Sequence, residues 1–556
     1  MRRKEREDRL VDLFACMTAD LESAAVAALP CTPLAFAIAR LKERMRKRAE
    51  FHRPEHRRTA TEGFVARNAR MRAFQHRLTP EEVYYAKVFI THVLEKYTRK
   101  LDESSLQDTL SWPIFLDAWR FGPGASTEVP GSHAVNKFLE DWTVTENAEP
   151  LVRILRRCTN HLRLLDESRG GGVRAVQGSR LSFVLKNEDE VRAIAIEPSG
   201  NMALQLAAES YLRGALATIG LKIEEQQPLN KALAQRGSID GSIATIDLKA
   251  ASDSGSESLY SALFDHRWMS LLTQIRTPRI KIDGAFETLH IFSTMGNGFT
   301  FPLMTLSLVA LVYVNRLLRH EGPWNFVDWR DTAVFGDDII VPVNEYSTLT
   351  DLLERAGFAV NHAKSYSQGS FRESCGGDYY DGVDVTPIYV RSLARLSDIY
   401  STYNKVLDWS ADHYPLYRTL RLLRSWMPEL PCEVPEWSNP DEGIRLASVP
   451  RRYRRYVILR SEVLTYDANA PWFNLCSVPL LAGGYLSVDY FWERDDKHPL
   501  GRRERSGPDL LFTPRSGRAQ WGIRNSRLPH GWLDGRCVRE YTSAQSRSRE
   551  LIHGLV

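Results

Sequence analysis

The stretch Val334 to Val341, Val-Phe-Gly-Asp-Asp-Ile-Ile-Val, sets two adjacent carboxylates in a tight turn between two β-branched, apolar runs. Thr332 to Phe335 read as one buried strand and Ile339 to Val341 as its partner, with Gly336-Asp337 supplying the Gly-X chemistry of a two-residue hairpin. Like charges this close raise each other's pKa, and burial raises them further. A divalent cation is the simplest way to neutralise the pair, so the stretch predicts a Mg²⁺ site. The dipeptide alone fits a solvated surface turn better. Residues elsewhere in the chain reverse that preference.

With 556 residues the chain has room for about two or three subdomains around sizeable cores. The net charge is only +4, but basic residues concentrate in both terminal regions, a distribution that suits a polyanionic partner. Arg44, Arg46, Lys47, Arg48, Arg53, Arg57, Arg58, Arg67, Arg70 and Arg72 form a dense cationic run in a helical region. Phosphate contacts and a solvated face of local salt bridges explain it equally well. The cysteines at 16, 31, 158, 375, 432, 476 and 537 form no C-x-x-C pair, which argues for a reducing compartment and against zinc. No apolar core of signal-peptide length follows the basic start of the sequence. The most apolar segment, Phe299 to Val314, contains Thr300, Pro302, Thr305 and Ser307 and reads as a buried helix, with no membrane partner expected.

Other stretches carry chemistry. Arg169 to Arg180 is Gly-rich but lacks the Gly-Lys-Ser/Thr ending of a P-loop. It leads into a hairpin over Ser182 to Glu197, where Lys186 and Arg192 flank the tip and could grip a triphosphate, although an exposed charged hairpin looks the same. In Ser242 to Ser254, a β-branched strand runs from Ile243 to Leu248 with Asp247 near its carboxyl end, where α/β sites collect ligands. Asp253 follows six residues later, and Ser254 or Ser256 can cap a helix beginning near Glu257. Lys281 to Phe286 holds an Asp-Gly hairpin turn, and Ser293 to Thr300 is a Gly-Asn-Gly loop feeding the apolar helix. An amphipathic helix over Tyr346 to Ala356, closed by Gly357, precedes Val-Asn-His-Ala-Lys-Ser, which presents Lys364.

This ordered set resembles palm motifs A to D of viral RNA-dependent RNA polymerases. Asp-Leu-Lys-Ala-Ala-Ser-Asp-Ser at 247, Met-Gly-Asn-Gly-Phe-Thr-Phe at 295, Phe-Gly-Asp-Asp-Ile-Ile at 335 and Phe-Arg-Glu-Ser-Cys-Gly at 371 are similar to the replicases of leviviruses, the single-stranded RNA phages. Phe-Gly-Pro-Gly-Ala at 121 fits the same family, and the likeness covers roughly residues 120 to 390. The resemblance implies an α+β, right-hand polymerase: N-terminal region and fingers over 1–240, a palm of antiparallel sheet packed on helices over 241–392, and a thumb with a basic C-terminal region over 393–556. It implies template-directed RNA synthesis from ribonucleoside triphosphates by a two-metal mechanism, with two Mg²⁺ ions or Mn²⁺ in their place. Asp247, Asp337 and Asp338 match the metal ligands, Asp253 and Asn297 the positions facing the ribose 2′-hydroxyl, Lys186 and Arg192 the triphosphate-handling motif, and Lys364 a general acid for pyrophosphate. The one departure is Phe335, where Tyr is more usual.

The resemblance further implies a single-stranded RNA template, the cytoplasm of an infected bacterial host, and partnership with translation elongation factors Tu and Ts and a host RNA-binding protein. Two rivals remain. A reverse transcriptase would share the palm aspartates but usually excludes the 2′-hydroxyl with a bulky residue after the first motif. A non-catalytic RNA-binding protein of polymerase-like fold predicts missing metal ligands. Beyond about residue 395, helical periodicity to Met427, the Arg451 to Tyr456 cluster and an Arg-rich tail with Trp521 and Trp532 suit contact with single-stranded RNA.

Overall fold

A helix as uniformly apolar as Thr300–Leu317 must be enclosed on every side, and the architecture is arranged to do this. In the computed structural model it is packed by the helices Pro80–Leu101, Ser199–Thr218 and Tyr346–Ala356, and Leu303, Leu306, Leu308, Val309, Leu311 and Val312 are sealed from solvent. By length and composition alone it would pass for a membrane span, but its surroundings here are protein. The described residues are 3–46, 54–102, 108–122, 124–129, 137, 140–159, 162, 172–185, 191–319, 329–390 and 392–429, with short pieces from 431 to 446, strands at 458–461 and 521–524, and Ile552. Lys186, the Arg451 to Tyr456 cluster and most of the Arg-rich tail lie outside them.

Against this helix lies an antiparallel sheet. The hairpin Ala333–Phe335 and Asp338–Pro342 pairs Phe335 with Asp338 and Val334 with Ile339. Its second strand pairs with Ile243–Ile246 in the register Ile339 to Ile246 and Val341 to Ala244. The far edge of that strand is covered by residues 359–366, where Val360 pairs with Leu248, and Thr245 and Tyr366 exchange backbone hydrogen bonds of 2.9 and 2.8 Å. Alternate residues thus send Ile246, Val334, Ile339 and Val341 into the main core and Ile243, Ala333 and Ile340 toward the helix Ile223–Asp240. That helix approaches closely because residue 237 is glycine, where a Cβ would lie 2.6 Å from Cβ of Ile243.

A second sheet holds the hairpin Ser179–Leu185 and Val191–Ile196 beside Arg279–Ile282 and Ala285–Thr288. Its Asp283-Gly284 turn takes φ of 46° and 93°, the left-handed pair that an Asp-Gly hairpin predicts. The helix Pro54–Met71 lays Phe64 and Met71 on this sheet against Ala193, Ala195, Ile280 and Ile282.

The two ends of the described chain share a third core. Leu10, Leu13, Met17 and Leu21 of the helix Arg3–Ala27 pack with Tyr400, Tyr403, Leu420 and Leu423 of the helices Leu396–Asp412 and Tyr417–Ser425. Asp20 caps the latter, accepting from the Thr419 N–H at 2.9 Å and its hydroxyl at 2.8 Å. Nothing local in the sequence signals this closure.

Candidate active site

The Asp-Asp hairpin turns through Gly336 and Asp337, with Gly336 at φ 60° as the first central residue. The central helix supports the turn from beneath. Gly336 donates its N–H to Thr305 Oγ1 at 3.2 Å, and Phe335 meets Phe301 edge to face at 4.8 Å. The Phe335 ring is therefore part of the packing that holds the turn.

Sheet register, pairing Ile246 with Ile339, brings Asp247, which follows the strand Ile243–Ile246, beside this turn. Both carboxylates of the turn feel their neighbours. Burial and then the charges of Asp338 and Asp247 push Asp337 up to about 6, with the Arg192 guanidinium pulling the other way. Burial chiefly, and then Asp247, raises Asp338 as well, against hydrogen bonds from residues 374 and 375. So Asp247, Asp337, Asp338 and Arg192 form one electrostatic group.

Neighbouring segments fix two of these side chains. Asn361 donates its amide to Asp247 Oδ2 at 2.6 Å and its N–H to the Asp247 carbonyl at 2.8 Å, and Ser365 Oγ accepts the Asp247 N–H at 3.1 Å. Asp338 Oδ1 accepts from the Cys375 N–H at 3.0 Å and from Ser374 Oγ at 3.3 Å. Asn361, Ser365, Ser374 and Cys375 were not among the expected site residues. Asn361 and Ser365 flank Lys364, and Ser374 and Cys375 lie in the Phe371 to Gly376 stretch, but no local pattern marks a residue that holds a distant carboxylate.

Lys364 stands on the turn after Asn361, half exposed, with Nζ 4.0 Å from Glu373 Oε1. Arg40 reaches the same acid, 3.5 Å from Glu373 Oε2, and pairs with Asp378 at 2.6 Å. Asp253 ends a 3₁₀ turn, Ala251–Asp253, and the Ser256 cap of the helix Glu257–Leu263 follows as expected. Its buried carboxylate is met by Arg67 Nε at 2.8 Å. Asn297 is buried in the Gly-Asn-Gly loop and uses its Oδ1 to accept the Phe299 N–H at 3.1 Å. The Asp253 and Asn297 segments are joined through a Phe292 N–H to Gly255 carbonyl bond of 3.4 Å.

The donor set is three hard carboxylates with mutually unfavourable charge, which fits a Mg²⁺-like cation better than any soft metal. Among the described residues, no trio of His, Cys, Asp or Glu converges on one ion-sized point. Two of the three carboxylates have an oxygen engaged by the protein, Asp338 Oδ1 by residues 374 and 375 and Asp247 Oδ2 by Asn361.

The sequence model of the RNA replicase beta-chain family matches residues 8–442. Among curated proteins, the chain is 34% identical over 329 residues to the RNA-directed RNA polymerase subunit beta of Qbeta virus (strain MX1), covering 57% of this chain and 54% of that one. It is 36% identical over 302 residues to the RNA-directed RNA polymerase beta chain of Enterobacteria phage GA, covering 53% and 55%. The matched segment thus spans about half the length of these relatives. Solved structures overlay loosely: the BmCPV RNA-dependent RNA polymerase at elongation state has a TM-score of 0.35 at 13% identity, covering 63% of this chain and 33% of that one. On the extent of the family match, this chain belongs to the RNA replicase beta-chain family.

Proposed function

We propose that the chain is an RNA-directed RNA polymerase, extending RNA on a single-stranded RNA template from ribonucleoside triphosphates to replicate a phage genome. The observation that carries this reading is the grouping of Asp247 with the Asp337-Asp338 turn on adjacent strands, in a chain of the replicase family. In the right-hand description, the antiparallel sheet and central helix form the palm, the preceding region the fingers and the helices after residue 393 the thumb.

Asp247 and Asp337 would hold Mg²⁺, or Mn²⁺ in its place, with Asp338 contributing through its free oxygen or its field. When bound, two such ions supply the charge neutralisation that phosphoryl transfer requires. The chain's own side chains do the rest. Asn361 and Ser365 fix Asp247, so that its carboxylate is oriented before substrate arrives. Arg192, with Lys186, would grip the triphosphate, its planar fork suited to phosphate oxygens. Asp253 and Asn297 would bind the ribose hydroxyls. A buried ionised carboxylate accepts a 2′-hydroxyl and is left unsatisfied by a deoxyribose, so it discriminates by more than the gain of one bond. Lys364 would protonate the departing pyrophosphate, with Glu373 as its resting partner.

Elongation factors Tu and Ts, a host RNA-binding protein and the bacterial cytoplasm belong to this reading through the family. The reverse-transcriptase alternative is disfavoured by Asp253, and the non-catalytic alternative by the presence of Asp247, Asp337 and Asp338. Templated incorporation of labelled ribonucleotides, with and without the host factors, tests it against Asp337→Asn. Incorporation by wild type that is lost in the variant supports the reading, and unchanged incorporation in the variant would falsify it.

A further inference from the structure

The helix Pro54–Met71, which carries Arg57, Arg58, Arg67 and Arg70 of the cationic run, is remote in sequence from the palm motifs, yet it reaches two parts of the site. On one face, Phe64 and Met71 pack on the sheet whose hairpin carries Arg192. From the next positions, Asn68 is bonded three times to the segment after the Asp-Gly hairpin. It donates to the Thr288 carbonyl at 2.8 Å and accepts the N–H groups of His290 at 2.7 Å and Ile291 at 3.1 Å. With Asn68 so fixed, the adjacent Arg67 has little freedom of origin. Its Nε lies 2.8 Å from Asp253 Oδ2.

The pairing is asymmetric. The Asp253 side chain is 8% exposed and Arg67 33%, so the arginine spans from solvent to a carboxylate that has almost none. Burial raises the Asp253 carboxyl and the Arg67 guanidinium opposes that rise, while a protonated carboxyl becomes a donor with a rotating hydrogen. The room for the guanidinium is also built in. At Gly63, one turn earlier, a Cβ would lie 3.1 Å from Arg67 Nη1, and glycine inside a helix is otherwise unfavourable relative to alanine.

We infer that Arg67 is the positioning residue for ribose selection: it aims the Asp253 carboxylate, so that this N-terminal helix takes part in choosing ribonucleotides over deoxyribonucleotides. The inference rests on the ribose-selecting reading of Asp253 given above. Arg67 need not touch the nucleotide. Because the same helix packs on the Arg192 hairpin, it links the triphosphate side of the site to the sugar side.

The test is primer extension by the full chain, with elongation factors Tu and Ts supplied, comparing kcat/KM for a ribonucleotide and its 2′-deoxy counterpart. Arg67→Ala is expected to lower the ribo-to-deoxy ratio on the order of tenfold, the scale of one charge-assisted hydrogen bond. Arg67→Lys should recover part of that ratio, and Arg67→Ala combined with Asp253→Ala should be no less selective than Asp253→Ala alone. An equal fall for both sugars in Arg67→Ala, or an unchanged ratio beside a reduced one in Asp253→Ala, overturns the inference while leaving Asp253 in its role. An unchanged ratio in Asp253→Ala overturns the ribose reading and this inference with it. Should Arg67→Ala unfold, Arg67→Lys and Arg67→Gln carry the same comparison, with thermal unfolding followed for each.

Discussion

Cys375 donates its backbone N–H to Asp338 Oδ1 at 3.0 Å, so the second aspartate of the turn is anchored from a neighbouring hairpin. Cys375 holds a φ of 50° at this point, next to Gly376 at 71°, which aims the N–H at the carboxylate. Asp337 differs: burial and two carboxylates act on it, with Arg192 the opposing cation. The adjacent acids are therefore not equivalent.

From this follows a graded outcome for two isosteric changes. Asp337→Asn should reduce ribonucleotide incorporation by on the order of a hundredfold or more, as expected when a charge that stabilises the transition state is removed. Asp338→Asn keeps an oxygen for Cys375 and should fold normally with a smaller loss. Incorporation rates over a Mg²⁺ titration check this, and equal losses would remove the distinction.

Added Mg²⁺ should raise the unfolding temperature, and more at pH 8 than at pH 5.5. The Asp337 carboxyl is raised to about 6, so in the folded state its ionisation is costly and a proton competes with the cation below that pH. As pH rises through about 6 the stability its protonated form provided is lost, and a cation restores it. Differential scanning fluorimetry with Mg²⁺ and with Asp337→Asn reads the effect. A Mg²⁺ shift that is the same at both pH values contradicts the assignment.

A second buried acid sets its own pH dependence. Glu197 accepts from Gln205 Nε2 at 3.0 Å and Thr277 Oγ1 at 3.2 Å, and burial raises it to about 7 despite these bonds and Arg276. Its folded value exceeds the unfolded one, so its contribution is full below about 4.5 and is lost as pH rises through about 7. Glu197→Gln can keep both contacts, its oxygen toward Gln205 and its amide toward the Thr277 hydroxyl. The variant should match wild type near pH 5 and exceed it near pH 8 by up to about 3 kcal/mol, less whatever Arg276 loses with its counter-charge. Urea unfolding at the two pH values measures this.

What could be read from the sequence was what is decided within a few residues. The Asp-Asp hairpin, the Asp283-Gly284 turn, the Ser256 cap and the buried helix all declare themselves by local chemistry. Strand ends shifted by a residue, with Asp338 inside its strand and Asp247 between two short ones. The holding contacts were illegible. Arg67 lies 186 residues from Asp253, and Asn361 lies 114 from Asp247. Each is an ordinary polar residue until the sheet register and helix packing deliver it. The docking of the first helix onto the last ones is likewise a tertiary choice among many apolar faces.

Gly336 gives the sharpest test of the hairpin itself. Its φ of 60° is a conformation that costs an L-residue about 1 kcal/mol or more, and a Cβ there would collide with the Phe301 ring. Phe301 cannot retreat freely, because it packs on Phe335 and its carbonyl accepts the Thr305 hydroxyl at 2.8 Å. Gly336→Ala must then move the turn, weakening the Gly336 N–H bond to Thr305 and displacing Asp337 from Asp247. Displacements near 1 Å at a reacting centre cost about a hundredfold in rate. The variant should stay folded at 25 °C, with an unfolding temperature lower by several degrees, and lose incorporation by at least that factor. Wild-type incorporation by folded Gly336→Ala would mean that the turn's geometry does not set the chemistry.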